Sequence, residues 1–377
     1  MKKKLCFTLY SAVHYRKSIF SLIDENYDCD FNFHLSPTMC EQFDTSALKG
    51  KVNKTEIKTF HGFEFTGDIL KKSREDFDMY LISANPRNLA VWLLCLKLRF
   101  FHPKKRLYYW THGWYGKESW FESCVKKMFY RLPHGIFLYG NYARKLMIEK
   151  GIKADKLFVV HNSLDYEKQL LLRKNAETTT IYKNHFKNDN PTILFIGRLK
   201  PVKQLDLLID AVDVLHKDGS HYNVVFVGDG PMKQPLMQKV VQHGLEDTIW
   251  FYGECYDEAT NAELIYNADL CVAPGNVGLT AIHTLMFGTP VITHDNFSYQ
   301  MPEFESVLPN QTGNFFKQGN VQSLADCIRD WFIRFNNERE QIRKNCYHEI
   351  DTQWNPNFQI EILRKNLLTY QEAKTII

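Results

Sequence analysis

Twice along this chain, short apolar runs alternate with longer stretches of helical period, and between the two series the pattern breaks. In the first series "KLCFTL", "MYLIS", "RLYYWT", "GIFLYG" and "KLFVVHN" read as buried strands. "SIFSLIDEN", "NLAVWLLCLKL", "ESWFESCVKKMFYRL" and "NYARKLMIEKG" read as the helices between them. Continuous apolar strands separated by helices cannot pair as hairpins. They demand parallel sheets covered on both faces. The second series repeats the scheme with strands "TILFIG", "YNVVFVG", "TIWFYG", "LCVAP" and "PVIT". The polar stretch 166–190 separates the two. The expected organisation is therefore α/β, with a first domain over 1–165, a connection over 166–190 and a second domain over 191–354. The tail 355–377 is expected to form one final helix that packs back on the first domain. A length of 377 residues suits two such domains. Ligands are expected in a cleft at the carboxyl ends of the strands.

The remaining bounds exclude more than they assign. A formal net charge of +4 is too small to imply nucleic acid, although it permits a local basic patch. The nine cysteines show no metal-type spacing, and an odd, scattered set fits a reducing compartment. Cys255, Cys271 and Cys327 lie in apolar settings and are expected in the core. The start "MKKKLCFTLYSAVHY" lacks the long apolar core and small-residue cleavage site of a signal peptide. The longest apolar run, "LAVWLLCL", is far short of the roughly 20 residues that span a bilayer. A cytoplasmic location is expected.

Chemistry concentrates at strand exits of the second half. In "ILFIGRLKPVKQLDLLIDA" Arg198 and Lys203 follow a strand, with Gly197 permitting a tight exit. A guanidinium fork beside an ammonium suits phosphate, and two ordinary surface cations would have the same spacing. "VFVGDGPMK" is a second glycine-rich exit at Gly228. The segment "PGNVGLTAIHTLMFGTP" runs from a strand into a short helix and carries a histidine, His283.

Taken in order, "KLFVVHNSLD", "GRLKPVKQLDLLIDA", "VFVGDGPM", "WFYGE" and "YNADLCVAPGNVGLTAIHTLMFGTPVIT" resemble the GT-B glycosyltransferases of the retaining, nucleotide-sugar type called family 4. The resemblance is good from about Ala143 to Ala325. Earlier in the chain it is limited to the alternating pattern. It implies two Rossmann-like domains facing across a cleft, and transfer of a sugar from a nucleotide donor with retention. It places Arg198 and Lys203 on the donor diphosphate, where they stabilise the leaving nucleotide. The glycine turn Gly275 to Leu279 then offers backbone N–H groups at a helix N-terminus. Gly197, Gly228, Gly275, Asn276, Gly278, Leu279, Thr280 and His283 become donor-binding candidates. The family carries glutamates at positions 276 and 283, one on the donor sugar and one on the ribose. Here Asn276 and His283 stand there. A neutral histidine both accepts and donates a hydrogen bond. A core histidine bonded to a neighbouring carbonyl is the alternative.

In the first half, "LYYWTHGWYGK" puts His112 at a strand end, where the resemblance implies a residue that approaches the donor sugar. A loop-capping histidine would fit the same spacing. His14 lies near the usual acceptor loop, although "YSAVHYRKS" replaces the family's glycine pair. No carboxylate pair marks a metal site, and no cofactor beyond the nucleotide-sugar substrate is implied. Trp120, Cys124 and Met128 form an apolar row, joined by Phe121, Val125 and Phe129, that is expected to pack on the sheet. Lys104, Lys105, Arg106, Lys126, Lys127 and Arg131 would then meet either solvent or an anionic membrane surface. The expected function is a glycosyltransferase acting on a glycan or lipid-linked acceptor in surface polysaccharide or lipopolysaccharide assembly, peripheral to the membrane. A catalytically weak scaffold and a sugar-nucleotide epimerase are the alternatives.

Overall fold

The computed structural model describes residues 2–10, 14–35, 45–66 and 68–375. The chain forms two compact units, Met1–Asp165 with Asn355–Ile377, and Tyr166–Trp354.

The first unit begins with β1 (Lys4–Leu9), α1 (Lys17–Asn26), β2 (Asp28–Leu35) and β3 (Lys51–Glu56). A small hairpin follows, β4 (Lys58–Phe60) with β5 (Phe63–Phe65), and then α2 (Asp68–Lys72). The regular alternation resumes with β6 (Met79–Ser83), α3 (Leu89–Phe101), β7 (Arg106–Thr111), α4 (Trp120–Tyr130), β8 (Gly135–Leu138), α5 (Asn141–Glu149) and β9 (Leu157–Val159). Seven strands pair in the order β3-β2-β1-β6-β7-β8-β9, all parallel. The order reverses direction between β1 and β6. Loops leaving the carboxyl ends of those two strands diverge there and open a crevice. One core lies under α1, built on Phe7, Phe20, Phe31 and Trp110. The opposite face is closed by α3 and α4 through Val91, Leu94, Leu98, Phe129 and Tyr130. The helix starts are fixed locally. Asn88 accepts from the backbone of Ala90 and Val91, and Ser119 forms a reciprocal capping box with Glu122.

The second unit opens with α6 (Tyr166–Lys174) and α7 (Ile181–Phe186), so the polar stretch read as a connection is largely helical and groups with this unit. It continues with β10 (Thr192–Ile196), α8 (Leu205–Lys217), β11 (Asn223–Val227), α9 (Lys233–His243), β12 (Ile249–Gly253) and α10 (Glu258–Asn267). Then come β13 (Leu270–Ala273), α11 (Leu279–Met286), β14 (Val291–His294), β15 (Gly313–Phe316), α12 (Val321–Arg334) and α13 (Arg339–Gln353). Its sheet is parallel with order β12-β11-β10-β13-β14-β15. Here the switch point falls between β10 and β13.

The tail is two helices, α14 (Pro356–Asn366) and α15 (Tyr370–Thr375), where one had been expected. Leu367 ends the first as a buried residue of the α1-side core, and the Tyr108 hydroxyl donates to the Leu368 carbonyl at 2.8 Å. Ile360 and Leu363 join the same core.

Three further expectations are corrected. The apolar row of α4 packs on the sheet only in part: Phe129 is buried, whereas Trp120, Phe121 and Met128 are exposed. Phe129 stacks on Tyr109 at 4.7 Å and meets Trp92 at 4.9 Å, while Tyr130 lies 5.7 Å from Trp114. These two large rings set the helix rotation and turn the row outward. Among the cations expected to face outward, Lys105 is drawn onto the Ser73 and Glu75 carbonyls, and Lys126 onto Glu118 at 2.6 Å. Of the cysteines expected in the core, Cys271 is buried, whereas Cys255 and Cys327 are only half-buried. Among the described residues no helix is long and apolar enough to cross a membrane.

Candidate functional site

In the second unit, the exits of β10 and β13 meet at the switch point. β10 leaves through Gly197 (φ +143°), and a Cβ there would come 3.4 Å from the Thr280 hydroxyl. Arg198 follows, exposed. The chain then makes a short 3-10 turn over Pro201–Lys203. The Lys203 ammonium donates to the Asn276 carbonyl at 2.7 Å, and the Gly275 N–H donates back to the Lys203 carbonyl at 2.9 Å. Two loops 73 residues apart are thus locked together. Gly275 is required by that lock, because a Cβ would fall 2.1 Å from the Val202 carbonyl oxygen. Gly228, at the exit of β11, packs equally hard on Gly197.

Gly278 (φ +55°) caps α11 without any side-chain hydrogen bond. The first N–H groups of a helix have no intrahelical acceptor, so the turn presents donors at the positive end of the helix dipole. The Thr280 hydroxyl is spent on the Ile196 carbonyl at 2.9 Å, which holds α11 against the end of β10. Leu279, the first helical residue, is half-buried. The Val277 N–H donates to Gln300, whose amide bonds Thr293 and the His294 carbonyl. Among the described residues the buried Asn276 Oδ1 has no hydrogen-bond partner. Burial holds the Lys203 ammonium down to about 8, against the opposing charge of Glu303.

His283 sits one turn further along α11, away from these contacts. Its Nε2 is 2.9 Å from the Glu258 carboxylate at the start of α10, and Glu258 also accepts from Gln169 of α6 at 2.8 Å. Burial pushes the Glu258 carboxyl up, but the hydrogen bond and charge of His283, together with hydrogen bonds from Gln169 and Asn261, outweigh it and the net shift is down. Glu258, Gln169 and Glu303 were not singled out in the sequence. Nothing in their local spacing marks them, since each acts through a partner distant in the chain.

In the first unit a cavity of ≈ 320 Å³ lies at the switch point, lined by Tyr10, Arg16, Asn85, Trp110, His112 and Tyr139. His112 follows β7. Its ring lies 4.6 Å from Tyr139 and 6.1 Å from Tyr115. Burial, reinforced by the charges of Arg16 and Lys126, holds the imidazole down to about 4, so it is neutral at ordinary pH. Arg16 donates to the Tyr139 hydroxyl at 2.5 Å. His14 starts a 3-10 turn, and its side chain lies outside the described residues. Among the described residues no group of three or more His, Cys, Asp or Glu could hold a metal ion.

Residues 177–349 match the family model described as Glycosyl transferases group 1. An uncharacterized 41.2 kDa protein in the cps region of Klebsiella pneumoniae is 24% identical over 209 residues, 55% of this chain and 54% of that one. The chain therefore matches about half the length of that relative. Among solved structures, HepE (Alr3699) of Anabaena in complex with UDP superposes with a TM-score of 0.70 at 16% identity, covering 97% of this chain and 99% of that one. The lipopolysaccharide outer core galactosyltransferase WaaB, in apo form, gives 0.67 at 14% identity, covering 97% and 99%. The chain has a GT-B fold, and residues 177–349 of its second unit are similar to the glycosyl transferases group 1 family.

Proposed function

We propose that this protein is a glycosyltransferase that moves a sugar from a nucleotide-sugar donor to a glycan or lipid-linked acceptor, with retention, in surface polysaccharide or lipopolysaccharide assembly. The observation that carries the reading is Lys203. Its half-buried ammonium is held beneath a glycine turn whose first helix N–H groups have no intrahelical acceptor, at the switch point of a parallel sheet. That combination of a desolvated cation with backbone donors suits a diphosphate. The relatives' context, a cps region and a lipopolysaccharide core enzyme, supports the choice of pathway class.

In this reading Arg198 and Lys203 take the diphosphate with the N–H groups of Gly278, Leu279 and Thr280, and Gly197, Gly228 and Gly275 let the backbone come close. Asn276 would turn its buried, unpartnered Oδ1 toward a sugar hydroxyl. The ribose glutamate that the family carries at position 283 is replaced by a pair: His283 hydrogen-bonds the ligand while Glu258 fixes its ring. His112 contributes a neutral hydrogen-bonding group to the transfer step. The bond from the anomeric carbon to the leaving phosphate breaks as the acceptor oxygen bonds on the same face, and the acceptor proton passes to the leaving phosphate.

Loss of the two family glutamates favours a second reading, a catalytically weak binding protein. Incubation with UDP-, GDP- and ADP-sugars, with and without lipid-linked glycans, separates the readings. The transferase reading expects release of one nucleoside diphosphate, faster with acceptor, and a product whose anomeric configuration matches the donor by NMR. No release from any donor would favour the binding protein, and interconversion of the sugar nucleotide would favour an epimerase.

A further inference from the structure

The first unit carries a surface that the donor site does not use. α3 and α4 cover the same face of its sheet, since Leu94, Leu98, Phe129 and Tyr130 share one core, and Trp92 of α3 touches Phe129 of α4. Their outward sides therefore lie on one surface, and that surface is also apolar. On α3 the exposed residues Leu89, Leu93, Leu96 and Phe100 recur at helical spacing as one stripe, in addition to the buried one. Phe100 is 73% and Phe101 76% exposed, and on α4 Trp120 is 81% and Phe121 69% exposed. Single exposed apolar residues are ordinary, but large rings gathered on adjoining helices mark a surface that something covers.

The charges around the rings say what. α3 contains Lys97 and Arg99 and no acidic residue, and Lys104 follows it, exposed. Lys127 lies on α4 and Arg131 caps it. The one acid on α4, Glu122, is engaged in the capping box. Basic residues interleaved with aromatic ones, on helices too short to span, form the pattern of a segment that lies in the plane of a bilayer. Its rings enter the headgroup boundary and its cations meet lipid phosphates. A second copy of the chain would instead set like charges against each other.

We infer that the outward face of α3 and α4 attaches the protein to an anionic lipid bilayer. As a way of bringing the enzyme to a lipid-linked acceptor it rests on the transferase reading, whereas the attachment itself is a property of these residues alone. Apart from Glu122 in its capping box, the charged residues named on this face are all basic.

The test is sedimentation of the full chain with vesicles of phosphatidylcholine alone, and with vesicles of about three parts phosphatidylcholine to one part phosphatidylglycerol. Wild type is expected to bind the anionic vesicles about tenfold or more better than the neutral ones, and to be released by high salt. The paired substitutions Phe100→Ser with Phe101→Ser, and Trp120→Ser with Phe121→Ser, should each weaken binding about tenfold, as should Lys97→Glu with Lys127→Glu. Nucleoside diphosphate binding should be unchanged in all of them, which reports folding and keeps the two readings apart. Intact vesicle binding with no nucleotide binding by wild type would sink the transferase reading alone. The attachment is overturned if wild type stays in the supernatant with anionic vesicles, or if the aromatic variants bind as wild type does. It is also overturned if wild type is a dimer in solution that those variants convert to a monomer.

Discussion

Raising the pH titrates Lys203 before any ordinary lysine, and nucleotide affinity should follow it. Burial holds this ammonium down to about 8 from a usual 10.5, with Glu303 limiting the fall. Between roughly pH 7 and 9 its protonated fraction drops from about nine-tenths to about one-tenth. A diphosphate binds the charged form, so its affinity should be greatest below pH 8 and fall as pH rises through it. The expected loss is about tenfold by pH 9, or about 1.4 kcal/mol. Lys203→Gln should weaken binding by about 1.5–3 kcal/mol at neutral pH and flatten the profile, because a charge-assisted contact is lost. Lys203→Arg stays charged throughout and should also give a flat profile, at whatever affinity the longer fork allows. The same shift affects the unliganded protein. The folded-state value lies below the unfolded one, so the contribution to stability is fully present above about 10.5 and is lost as pH falls through about 8. Relative to Lys203→Gln, wild type should therefore gain stability over that interval. Calorimetric titration of the bound nucleoside diphosphate across this range is the assay. A flat wild-type profile, or a slope that persists in Lys203→Gln, would refute the assignment.

Other consequences are as direct. Arg198→Ala should keep the fold, since the side chain is exposed, and weaken nucleoside diphosphate binding by about 1.5–3 kcal/mol in the same titration. Glu258→Ala leaves the His283 and Gln169 donors without their acceptor. It should lower unfolding free energy by about 1–3 kcal/mol in a denaturant melt, while Glu258→Gln loses less. His283→Glu restores the family's residue but sets a carboxylate against Glu258, so the melt should show destabilisation that Glu258→Gln relieves. Gly275→Ala places a methyl group against the Val202 carbonyl and should abolish nucleotide binding, with circular dichroism reporting whether the unit still folds.

The parts of the fold that were legible in the sequence are those where period and burial agree. β10 and β11 are buried at every position, and their apolar runs leave no other reading. β3 was not read, because an edge strand of sequence "KVNKTE" is half exposed and polar. The tail read as one helix because its composition is continuous, and only the burial of Leu367 and the Tyr108 contact divide it. The α4 row shows the limit of periodicity. Spacing says that Trp120, Cys124 and Met128 share a face, but the direction of that face is decided by Phe129 and Tyr130 finding Tyr109, Trp92 and Trp114. The candidate site divides in the same way. The glycines and Lys203 announce themselves at strand exits, whereas the contact between Lys203 and Asn276 joins residues 73 positions apart. Glu258 is not legible in the sequence because its partners, His283 and Gln169, lie on other helices.

Whether the glycine turn and its half-buried lysine form the donor site is decided by a crystal structure with the tightest-binding nucleoside diphosphate. The diphosphate is expected at the N-terminus of α11, with its oxygens within hydrogen-bonding distance of Lys203 Nζ and of the N–H groups at Gly278, Leu279 and Thr280. A diphosphate bound in the second unit away from Lys203, or held only by residues of the first unit, would contradict it.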